Sequence, residues 1–550
     1  MNTSAPSFAS LVQGAAALFW VPQAALLAWA VQRLGAGEGA AAVLWPAAGI
    51  LLLGLLRAAA EAWGARRVYA QARGRLSALR ARAAAALAAR SPMDSARPAA
   101  GLAASVIAEQ AEAVVPYLVR YAPARWRATL VPLAIVAVVA WLSWVAAAVL
   151  LVAAPLIPVF MAIVGWRARA ASEAQMVELG GMNGFLLDRL RGLATLRALD
   201  AVDATARRLG ESAQSLRTRT MAVLRIAFLS SAVLELFSAL GVAMVAAYIG
   251  FHLLGTLGFG TWGRTLSLGE GLFILLLAPA FFEPLRELSA VWHDRAAGEA
   301  ALVSLARLSQ GGVALPGVAS GEQPELPGGT PGAPAVRVHG LCFSHAGEAA
   351  FFDRYELRVA AGEHVALMGP SGSGKTALLS LIAGLVPAQR GEILIGGVPL
   401  SDATAAALRA RMAWMGQKPH VFAGSVQANV ALGRAGVQTA QVEAAMRFAA
   451  LAGVAQARCG VALGEGGGGL SGGEAVRLAL ARVAVHPEAD LLLVDEPTAH
   501  LDSETAERVV DALMQLARGK TLIAATHDPV LAARIGRVIR LDDLPAKEAA

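Results

Sequence analysis

The segment that decides the fold reads HVALMGPSGSGKTALLSLIA and covers residues 364–383. Its centre fits the pattern G-x-x-x-x-G-K-[ST], which binds nucleotide phosphates when it lies between a buried strand and a helix. The apolar run His364–Met368 predicts the strand, and Ala377–Ala383 predicts the helix. We therefore expect the intervening loop to wrap a phosphate chain with its backbone N–H groups. The predicted phosphate-binding residues are Gly369, Pro370, Ser371, Gly372, Ser373, Gly374, Lys375 and Thr376.

Two side chains of this loop and a second motif carry the predicted chemistry. Lys375 supplies a point charge to the β- and γ-phosphates, and the Thr376 hydroxyl ligates Mg²⁺. The second motif, LLLVD at residues 491–495, is an apolar strand that ends in a carboxylate and is followed by Glu496. We expect Asp495 to hold the Mg²⁺ shell and Glu496 to polarise the attacking water as general base. A surface acidic pair, the alternative, fits an unbroken apolar strand poorly.

A third motif, LSGGE at residues 470–474, precedes a helix that we expect to start near Ala475. Its two glycines expose backbone N–H groups at a helix N-terminus, which is a ready anion site. The three motifs together resemble those of the ABC ATPases, over about Val336–Leu541. In that family two ATPase domains face each other, and the signature of one closes on the γ-phosphate held by the other. The resemblance implies a second chain as partner. It assigns the signature to Leu470, Ser471, Gly472, Gly473 and Glu474.

The same resemblance places the remaining family motifs. Gln417, in MGQKP, matches the residue that senses Mg²⁺ as a ligand, in a loop that contacts the membrane domain. Asp502, in AHLD, matches the loop after the catalytic glutamate. His527, in ATHD, matches the histidine that contacts the γ-phosphate. The implied catalytic residues are therefore Glu496 and His527.

Two positions depart from the family pattern. His345, in LCFSHAG, stands where an aromatic ring usually stacks on adenine. Imidazole stacks over less area than a tyrosine ring, so we expect weaker nucleotide binding unless another residue supplies the ring. Glu474 stands where glutamine is common. Neither departure removes a catalytic group, so this chain is expected to hydrolyse ATP.

The first 300 residues have the pattern of a membrane domain. The chain is 56% hydrophobic, against ~45–50% in soluble domains. Two Arg-rich loops, Gly64–Arg127 and Arg167–Ala222, are expected in the cytoplasm, together with both termini and the ATPase domain. Six apolar runs are near or above the ~20 residues that cross a bilayer core. They lie at about Leu11–Val31, Ala40–Trp63, Ala128–Trp144, Ala146–Trp166, Val223–Leu254 and Leu268–Val291.

These patterns predict a multi-domain membrane protein. A six-helix, all-α transmembrane domain resembling type-IV ABC exporters is followed by an α/β P-loop ATPase domain. The predicted boundaries are 1–308 for the membrane domain, 309–335 for a Pro/Gly-rich linker and 336–550 for the ATPase domain. The net charge of +7 indicates a basic cytoplasmic face beside the lipid bilayer rather than a nucleic-acid partner.

Four stretches of the membrane half carry a narrower resemblance, at residues 154–170, 184–199, 219–240 and 281–297. They are similar to the CydD subunits of the CydDC exporters, which are bacterial inner-membrane heterodimers needed to assemble cytochrome bd. The resemblance implies a CydC-like half-transporter as partner, and a cargo of cysteine and glutathione or of haem. His252 and His293 could ligate haem iron, although a ring at the membrane interface is the commoner use of such residues.

Ionisable residues inside the apolar runs are the predicted contacts of the cargo pathway. They are Arg57, Glu61, Glu235, Glu283 and Arg286. Such residues are costly in lipid, so they line a polar pathway or form ion pairs that fix helix packing. An arginine could grip the carboxylates of glutathione or the propionates of haem. The sequence does not decide between these uses.

Two further functions stay open on the sequence. One is a homodimeric ABC exporter of lipid, drug or peptide, which a neighbouring gene for a second half-transporter would disfavour. The other is a non-transporting membrane ATPase that acts as an oxidase assembly factor. Cargo-stimulated ATPase activity and uptake into inverted vesicles would separate this second function from an exporter.

Overall fold

The computed structural model describes residues 8–98, 100–155, 185–186, 189, 192–318, 332–344, 350–434, 436–457, 462–463, 470–486, 488–499 and 501–541. The chain divides into two compact units. The first comprises Met1–Ala83 and Gly101–Arg307, and the second comprises Ala84–Ala100 and Leu308–Ala550. The second unit is thus assembled from two separate parts of the chain, a feature that the sequence-based boundaries do not contain.

Helices make up the N-terminal part of the chain. Three 3₁₀ turns and one π-helical turn, Tyr117–Tyr121, join some of them into longer rods. The helices are α1 (Phe8–Ala15), α2 (Trp20–Gly35), α3 (Leu44–Ala88), α4 (Ala100–Ala108), α5 (Val114–Pro116), α6 (Ala122–Leu142), α7 (Trp144–Pro155), α8 (Leu193–Ala198), α9 (Val202–Leu253), α10 (Leu268–Ala290) and α11 (Trp292–Ser309).

Five helical stretches of the described residues are long and apolar enough to cross a membrane. They coincide with the first, second, third, fifth and sixth predicted runs. Helix α7 is the described part of the fourth run, whose residues 156–166 lie outside the described ranges. Helix α9 has 52 residues, or ~78 Å at 1.5 Å per residue, and therefore extends well beyond a ~30 Å hydrocarbon core. The five stretches are Phe8–Gly35, Ala40–Ala88, Ala100–Leu142, Ala232–Leu253 and Leu268–Ser309.

The membrane unit has an apolar core between α6, α7, α9 and α10. Phe281 and Phe282 of α10 are each 1% exposed. A side chain at Gly241 of α9 would overlap the ring of Phe282, so the two helices approach closely because residue 241 has none. The Ser143 hydroxyl, between α6 and α7, donates to the Gly260 carbonyl at 2.7 Å and ties that turn to the loop between α9 and α10.

The second unit contains two sheets. An antiparallel sheet has the strand order β2-β1-β4-β5, and a parallel sheet has the order β6-β7-β8-β3-β9. The strands are β1 (Val336–Phe343), β2 (Phe352–Val359), β3 (His364–Met368), β4 (Arg390–Ile395), β5 (Val398–Pro399), β6 (Met412–Met415), β7 (Leu491–Asp495), β8 (Thr521–Thr526) and β9 (Arg537–Arg540).

Helices cover the parallel sheet, and its central strands β7 and β8 are buried along their length, whereas the edge strand β9 is largely exposed. Leu367 of β3 and Leu493 of β7 share one fully buried core with Leu378. The helices are α12 (Lys375–Ile382), α13 (Ala405–Ala410), α14 (Val426–Ala431), α15 (Thr439–Phe448), α16 (Ala452–Ala457), α17 (Gly472–Ala484), α18 (Ser503–Leu516) and α19 (Pro529–Ile535).

Residues 89–94 pair with residues 308–315 inside the second unit, and we name this pairing the loop–linker contact. The Ser91 N–H donates to the Val313 carbonyl at 2.9 Å, and the Leu315 N–H donates to the Ala89 carbonyl at 2.8 Å. The two segments therefore run antiparallel, like short strands. The beginning of the predicted linker is bound to the chain rather than loose.

Buried polar groups hold the loop–linker contact in place. Arg90 is 8% exposed and donates to the carbonyls of Leu308 and Gln310. The Ser91 hydroxyl, fully buried, donates to the Leu385 carbonyl at 2.5 Å. Met93 packs against the apolar core of the two sheets. Residues of the first long Arg-rich loop thus complete the surface of the ATPase unit.

Candidate functional site

The strand register brings three sequence motifs to one edge of the parallel sheet. Strand β3 ends at Met368, which pairs with Thr526 of β8. Strand β7 ends at Asp495, which pairs with Ala525 of β8. The phosphate loop, the acidic pair and the histidine loop follow these strand ends directly, so they meet at the carboxyl edge, where open α/β sheets bind ligands.

The phosphate loop folds around its own lysine. Gly372 and Gly374 have φ angles of +84° and +92°, a backbone region that glycine adopts without steric cost. The Lys375 ammonium donates to the Gly369 carbonyl at 2.6 Å and to the Pro370 carbonyl at 2.9 Å. With 8% of this side chain exposed, a buried cation lies at the centre of the loop.

Thr376 and Asp495 form the candidate metal position. The Thr376 hydroxyl donates to Oδ2 of Asp495 at 2.8 Å. Asp495 is 3% exposed, and its Oδ1 is buried without a hydrogen-bond partner, as is the hydroxyl of Ser373. Burial raises the pKa of Asp495, against the lowering effect of the Thr376 hydrogen bond. An unpartnered carboxylate oxygen in this environment is poised to accept a cation or a donor.

The donor set fits Mg²⁺. Hydroxyl and carboxylate oxygens are hard ligands, and Mg²⁺ commonly combines one or two protein oxygens with water and phosphate oxygens. Among the described residues no group of three or more His, Cys, Asp and Glu could hold a metal by itself. Gln417, the third predicted ligand, is exposed two residues after Met415 of β6, which pairs with Val494 of β7.

Glu496 and His527 are in contact. Glu496 has a φ of +48°, which is rare outside glycine, and its N–H donates to the Ala525 carbonyl at 2.9 Å. This backbone places Oε2 2.7 Å from Nδ1 of His527 and Oε1 4.0 Å from Nζ of Lys375. An ionised carboxylate only accepts, so Nδ1 of His527 carries the proton. The carboxylate is buried, whereas 68% of the His527 side chain is exposed.

The signature opens helix α17. Its Ser471 hydroxyl accepts from the Glu474 N–H at 3.3 Å, and the Glu474 carboxylate accepts from the Ser471 N–H at 2.7 Å. This reciprocal capping box fixes the first turn, so the helix begins at Gly472, earlier than the expected start near Ala475. Glu474, unusual for the family pattern, serves this cap as well as glutamine would.

Asp502 lies beside the signature. Its carboxylate caps helix α18 by accepting from the Thr505 N–H at 2.9 Å, and this backbone hydrogen bond lowers its pKa. A Cβ placed on Gly473 would lie 3.4 Å from Cγ2 of Thr505 and 3.7 Å from Cδ2 of Leu501. The loop after Glu496 and the signature helix therefore pack together.

Arg482 is a structural residue of this region that sequence reasoning missed. It lies on α17 and donates to the His420 carbonyl at 2.7 Å. It also donates to the backbone carbonyl and side-chain oxygen of Asn429 at 2.8 and 2.9 Å. The guanidinium thus ties the signature helix to the loop that follows Gln417. One of the two arginines on this helix gives no sequence signal of such a role. The predicted adenine contact, His345, lies outside the described residues.

The ionisable residues of the membrane helices form two groups. Arg57 and Glu61 pair along α3 at 3.1 Å. Arg286 of α10 pairs with Glu235 of α9 at 2.9 Å and with Glu283 one turn away. The second group has two carboxylates for one guanidinium and so a net charge of −1. The Glu235 and Glu283 side chains are 68% and 60% exposed in this chain.

The two histidines of the membrane half differ in environment. His252 is 5% exposed, and its Nε2 accepts from the Leu266 N–H at 3.3 Å. That bond fixes the loop before α10, which is a structural use of the ring. His293 is exposed near the start of α11.

Comparisons with known proteins agree with both halves. The family model described as ABC transporter matches residues 352–499, and the model described as ABC transporter transmembrane region matches residues 126–284. The chain is 36% identical over 435 residues to the transport ATP-binding protein AarD of Providencia stuartii. That alignment covers 78% of this chain and 72% of the relative. The chain is also 36% identical over 431 residues, with the same two coverages, to the glutathione/L-cysteine transport system ATP-binding/permease protein CydD of Escherichia coli K12.

A solved structure shares the fold. It is described as a bacterial Atm1-family ABC exporter with ATP bound, and it aligns with a TM-score of 0.70. The alignment covers 96% of this chain and 93% of that one at 23% sequence identity. The fold is therefore that of an ABC exporter, with an N-terminal helical membrane domain and a C-terminal α/β ATPase domain.

Proposed function

This chain belongs to the CydD family of ABC half-transporters, and from that membership we propose that it exports cysteine or glutathione across the bacterial inner membrane. The observation that carries the proposal is the 36% identity to a protein named for glutathione and L-cysteine transport. The similarity covers 431 residues, about twice the predicted ATPase domain, so it extends into the membrane half. Export of such thiols would support cytochrome bd assembly.

We assign ATP hydrolysis to the groups at the edge of the parallel sheet. Lys375, held by the carbonyls of Gly369 and Pro370, supplies the positive charge for the phosphate oxygens of ATP. Glu496, oriented by His527, polarises the water that attacks the γ-phosphate. The exposed His527 ring turns towards that phosphate. Thr376 and Asp495 would hold Mg²⁺, with Gln417 to sense it, and the ion would supply positive charge beside the phosphates.

A CydC-like half-transporter is the proposed partner. The chain has one ATPase domain, and the family arrangement needs the signature of one half on the nucleotide of the other. Helix α17 presents the N–H groups of Gly472 and Gly473 at its N-terminus, where the helix dipole favours a phosphate. We place both termini and the ATPase domain in the cytoplasm because the long Arg-rich loops favour that side.

The Glu235–Glu283–Arg286 group is the proposed contact for the ammonium group of the cargo. The sequence suggested that an arginine grips a carboxylate, but Arg286 is engaged by two carboxylates already. The residual charge of −1 attracts the α-ammonium group that cysteine and glutathione both carry, and repels haem propionates. Ionisable groups within spans face the bundle interior or a water-filled cavity, which suits the exposure of both glutamates. The Arg57–Glu61 pair is neutral and offers a second, weaker polar contact.

Uptake into inverted vesicles tests the proposal. The purified heterodimer is reconstituted, and ATP-dependent uptake of labelled cysteine, glutathione and haem is compared between the natural protein and Glu496→Gln. We expect thiol uptake that the substitution abolishes. Uptake of haem alone would overturn the cargo assignment. ATP hydrolysis without uptake of any of the three would favour an assembly ATPase, and uptake without the partner would favour a homodimer.

A further inference from the structure

A cavity of about 400 Å³ lies at the edge of the parallel sheet opposite the phosphate loop. Met412 and Leu491 line it, and they are the first residues of β6 and β7. The phosphate loop instead follows Met368, the last residue of β3, and all these strands run parallel. The cavity is therefore at the amino edge of the sheet, away from the groups assigned to ATP. Its volume is within the ~300–1,000 Å³ that small-molecule sites occupy.

The end of the linker forms one wall of the cavity and is held there by hydrogen bonds. The Arg411 guanidinium donates to the Gly332 carbonyl at 3.1 Å and pairs with Asp490 at 2.6 Å. The hydroxyl of Thr521, which is fully buried, donates to the Pro334 carbonyl at 2.7 Å. Gly332, Pro334 and Arg411 all line the cavity. The fold thus fixes this wall, and a carboxylate already balances the charge of Arg411.

Arg337 of β1 is the second arginine that lines the cavity, and its charge is not balanced. Among the residues that the structure describes, no carboxylate pairs with its guanidinium. The residue directly opposite on β2 is another arginine, Arg358, which does not line the cavity. Like charges directly opposite each other destabilise a sheet. An anion bound at Arg337 would relieve that repulsion.

Apolar side chains line much of the remaining cavity. Leu394 of β4 and Val398 of β5 are half-buried, and Met412 is 8% exposed. A guanidinium without a partner binds a carboxylate through two parallel hydrogen bonds. We infer that the cavity binds a small amphipathic carboxylate, whose oxygens pair with Arg337 and whose apolar body lies against these three side chains. None of these residues belongs to the nucleotide site or to the membrane helices, so the site is separate from the proposed transport function.

Photolabelling of the full chain in its heterodimer with 4-benzoylbenzoate, a carboxylate on an apolar body, measures this binding. Label at Met412 is quantified by mass spectrometry of the digested chain, with and without saturating ATP. We expect Arg337→Gln to raise the concentration for half-maximal label about tenfold, as for a lost hydrogen bond to a charged group. Arg358→Gln, the matched control on the neighbouring strand, should label like the natural protein. The neutral amide of the probe should label all three proteins equally and more weakly.

Several outcomes would overturn the inference. Absence of saturable label at Met412 would reject the cavity as a ligand site, and loss of label on addition of ATP would place the probe in the nucleotide site instead. Equal labelling of the natural protein by the carboxylate and the amide, or equal effects of Arg337→Gln and Arg358→Gln, would exclude recognition of the carboxylate by Arg337. Arg337→Lys keeps the charge and should retain most of the affinity. A loss as large as in Arg337→Gln would mean that the side chain only shapes the cavity.

Discussion

Nδ1 of His527 lies 2.7 Å from Oε2 of Glu496, so the residue proposed to activate water is held by the residue proposed to sense the γ-phosphate. The two follow the ends of adjacent parallel strands, β8 and β7. The second oxygen of the same carboxylate is 4.0 Å from the Lys375 ammonium. Base, orienting ring and phosphate-binding cation therefore form one connected group.

Glu496→Gln should remove ATP hydrolysis and leave ATP binding at the natural level. Glutamine keeps the size of the side chain and its contact with His527, but it cannot serve as general base, a role that contributes about 10²–10⁴ in rate. Phosphate release and nucleotide binding are measured in a heterodimer whose partner carries the equivalent substitution, so that only this site can act. Hydrolysis at the natural rate in that background would rule out Glu496 as the base.

Asp495→Asn should raise the thermal midpoint of the protein, measured without nucleotide at neutral pH. Burial raises the pKa of Asp495, so its ionised form is disfavoured in the folded state. This destabilisation of the folded state is absent at pH values below the ordinary aspartate pKa. It grows as the pH rises from that value to the raised pKa, and it stays constant at higher pH. The advantage of the variant should accordingly shrink at acidic pH. Midpoints recorded across pH check the sign, and a lower midpoint for the variant at neutral pH would contradict it.

Gly374→Ala should destabilise the ATPase unit by about 1–3 kcal/mol through overpacking, beyond the cost of its left-handed backbone. The added methyl would meet the buried ring of Phe352 at 2.9 Å. Gly372→Ala is the matched control, because Gly372 has a similar φ of +84° with nothing within 4 Å of its Cβ position. Denaturant unfolding of both variants separates backbone strain from the clash. Equal losses would show that the contact with Phe352 is unimportant.

Arg90→Ala should leave ATP binding intact and weaken the stimulation of ATP hydrolysis by cargo. It removes the donor to the carbonyls of Leu308 and Gln310, at a cost of about 1–3 kcal/mol for buried acceptors without partners. The loop–linker contact would loosen as a result. Arg97→Ala, an exposed change in the same loop, controls for charge. Cargo-stimulated hydrolysis equal to that of the control would show that the contact has no part in coupling.

The double change Glu235→Gln with Glu283→Gln should lower glutathione uptake about tenfold or more, the usual range for a lost hydrogen bond to a charged group. An analogue of glutathione without the α-ammonium group should be insensitive to it. Glu61→Gln, in the neutral pair on α3, is the control and should change uptake less. Equal losses for glutathione and the analogue would indicate that the glutamates fix helix packing instead.

The fold was predictable where the pattern is local. The apolar strands before the phosphate loop and before Glu496 match the observed bounds of β3 and β7, because buried parallel strands require unbroken apolar runs. Five apolar runs of the first half match helices that can span a membrane. The strand order that joins Lys375, Asp495 and His527 was not predicted, since no local signal fixes which strands are neighbours. The family resemblance gave only the expected roles of these residues.

Long-range polar contacts were not predictable. Arg90 and Arg482 are two among many arginines of an Arg-rich chain, and the sequence offers no sign that each holds backbone carbonyls of a distant segment. For Arg286 the sequence left a polar pathway and ion pairing open, and the structure pairs it with two carboxylates, Glu235 and Glu283. Such roles depend on which distant segments of the chain contact each other. The amino-acid composition gives no information on those contacts.

The loop–linker contact bears on how such a transporter can be divided among genes. An ATPase domain produced alone from residue 336 would lack the Met93 side chain that packs on its core and the Ser91 hydroxyl bound to the Leu385 carbonyl. A separate polypeptide would then have to supply those groups, and their binding would depend on the concentration of that polypeptide in the cell. Within one chain they are supplied intramolecularly, at an effective concentration that does not depend on the amount of protein. Fusion of the two functions in one gene therefore makes the assembly of the ATPase surface independent of how much protein the cell makes.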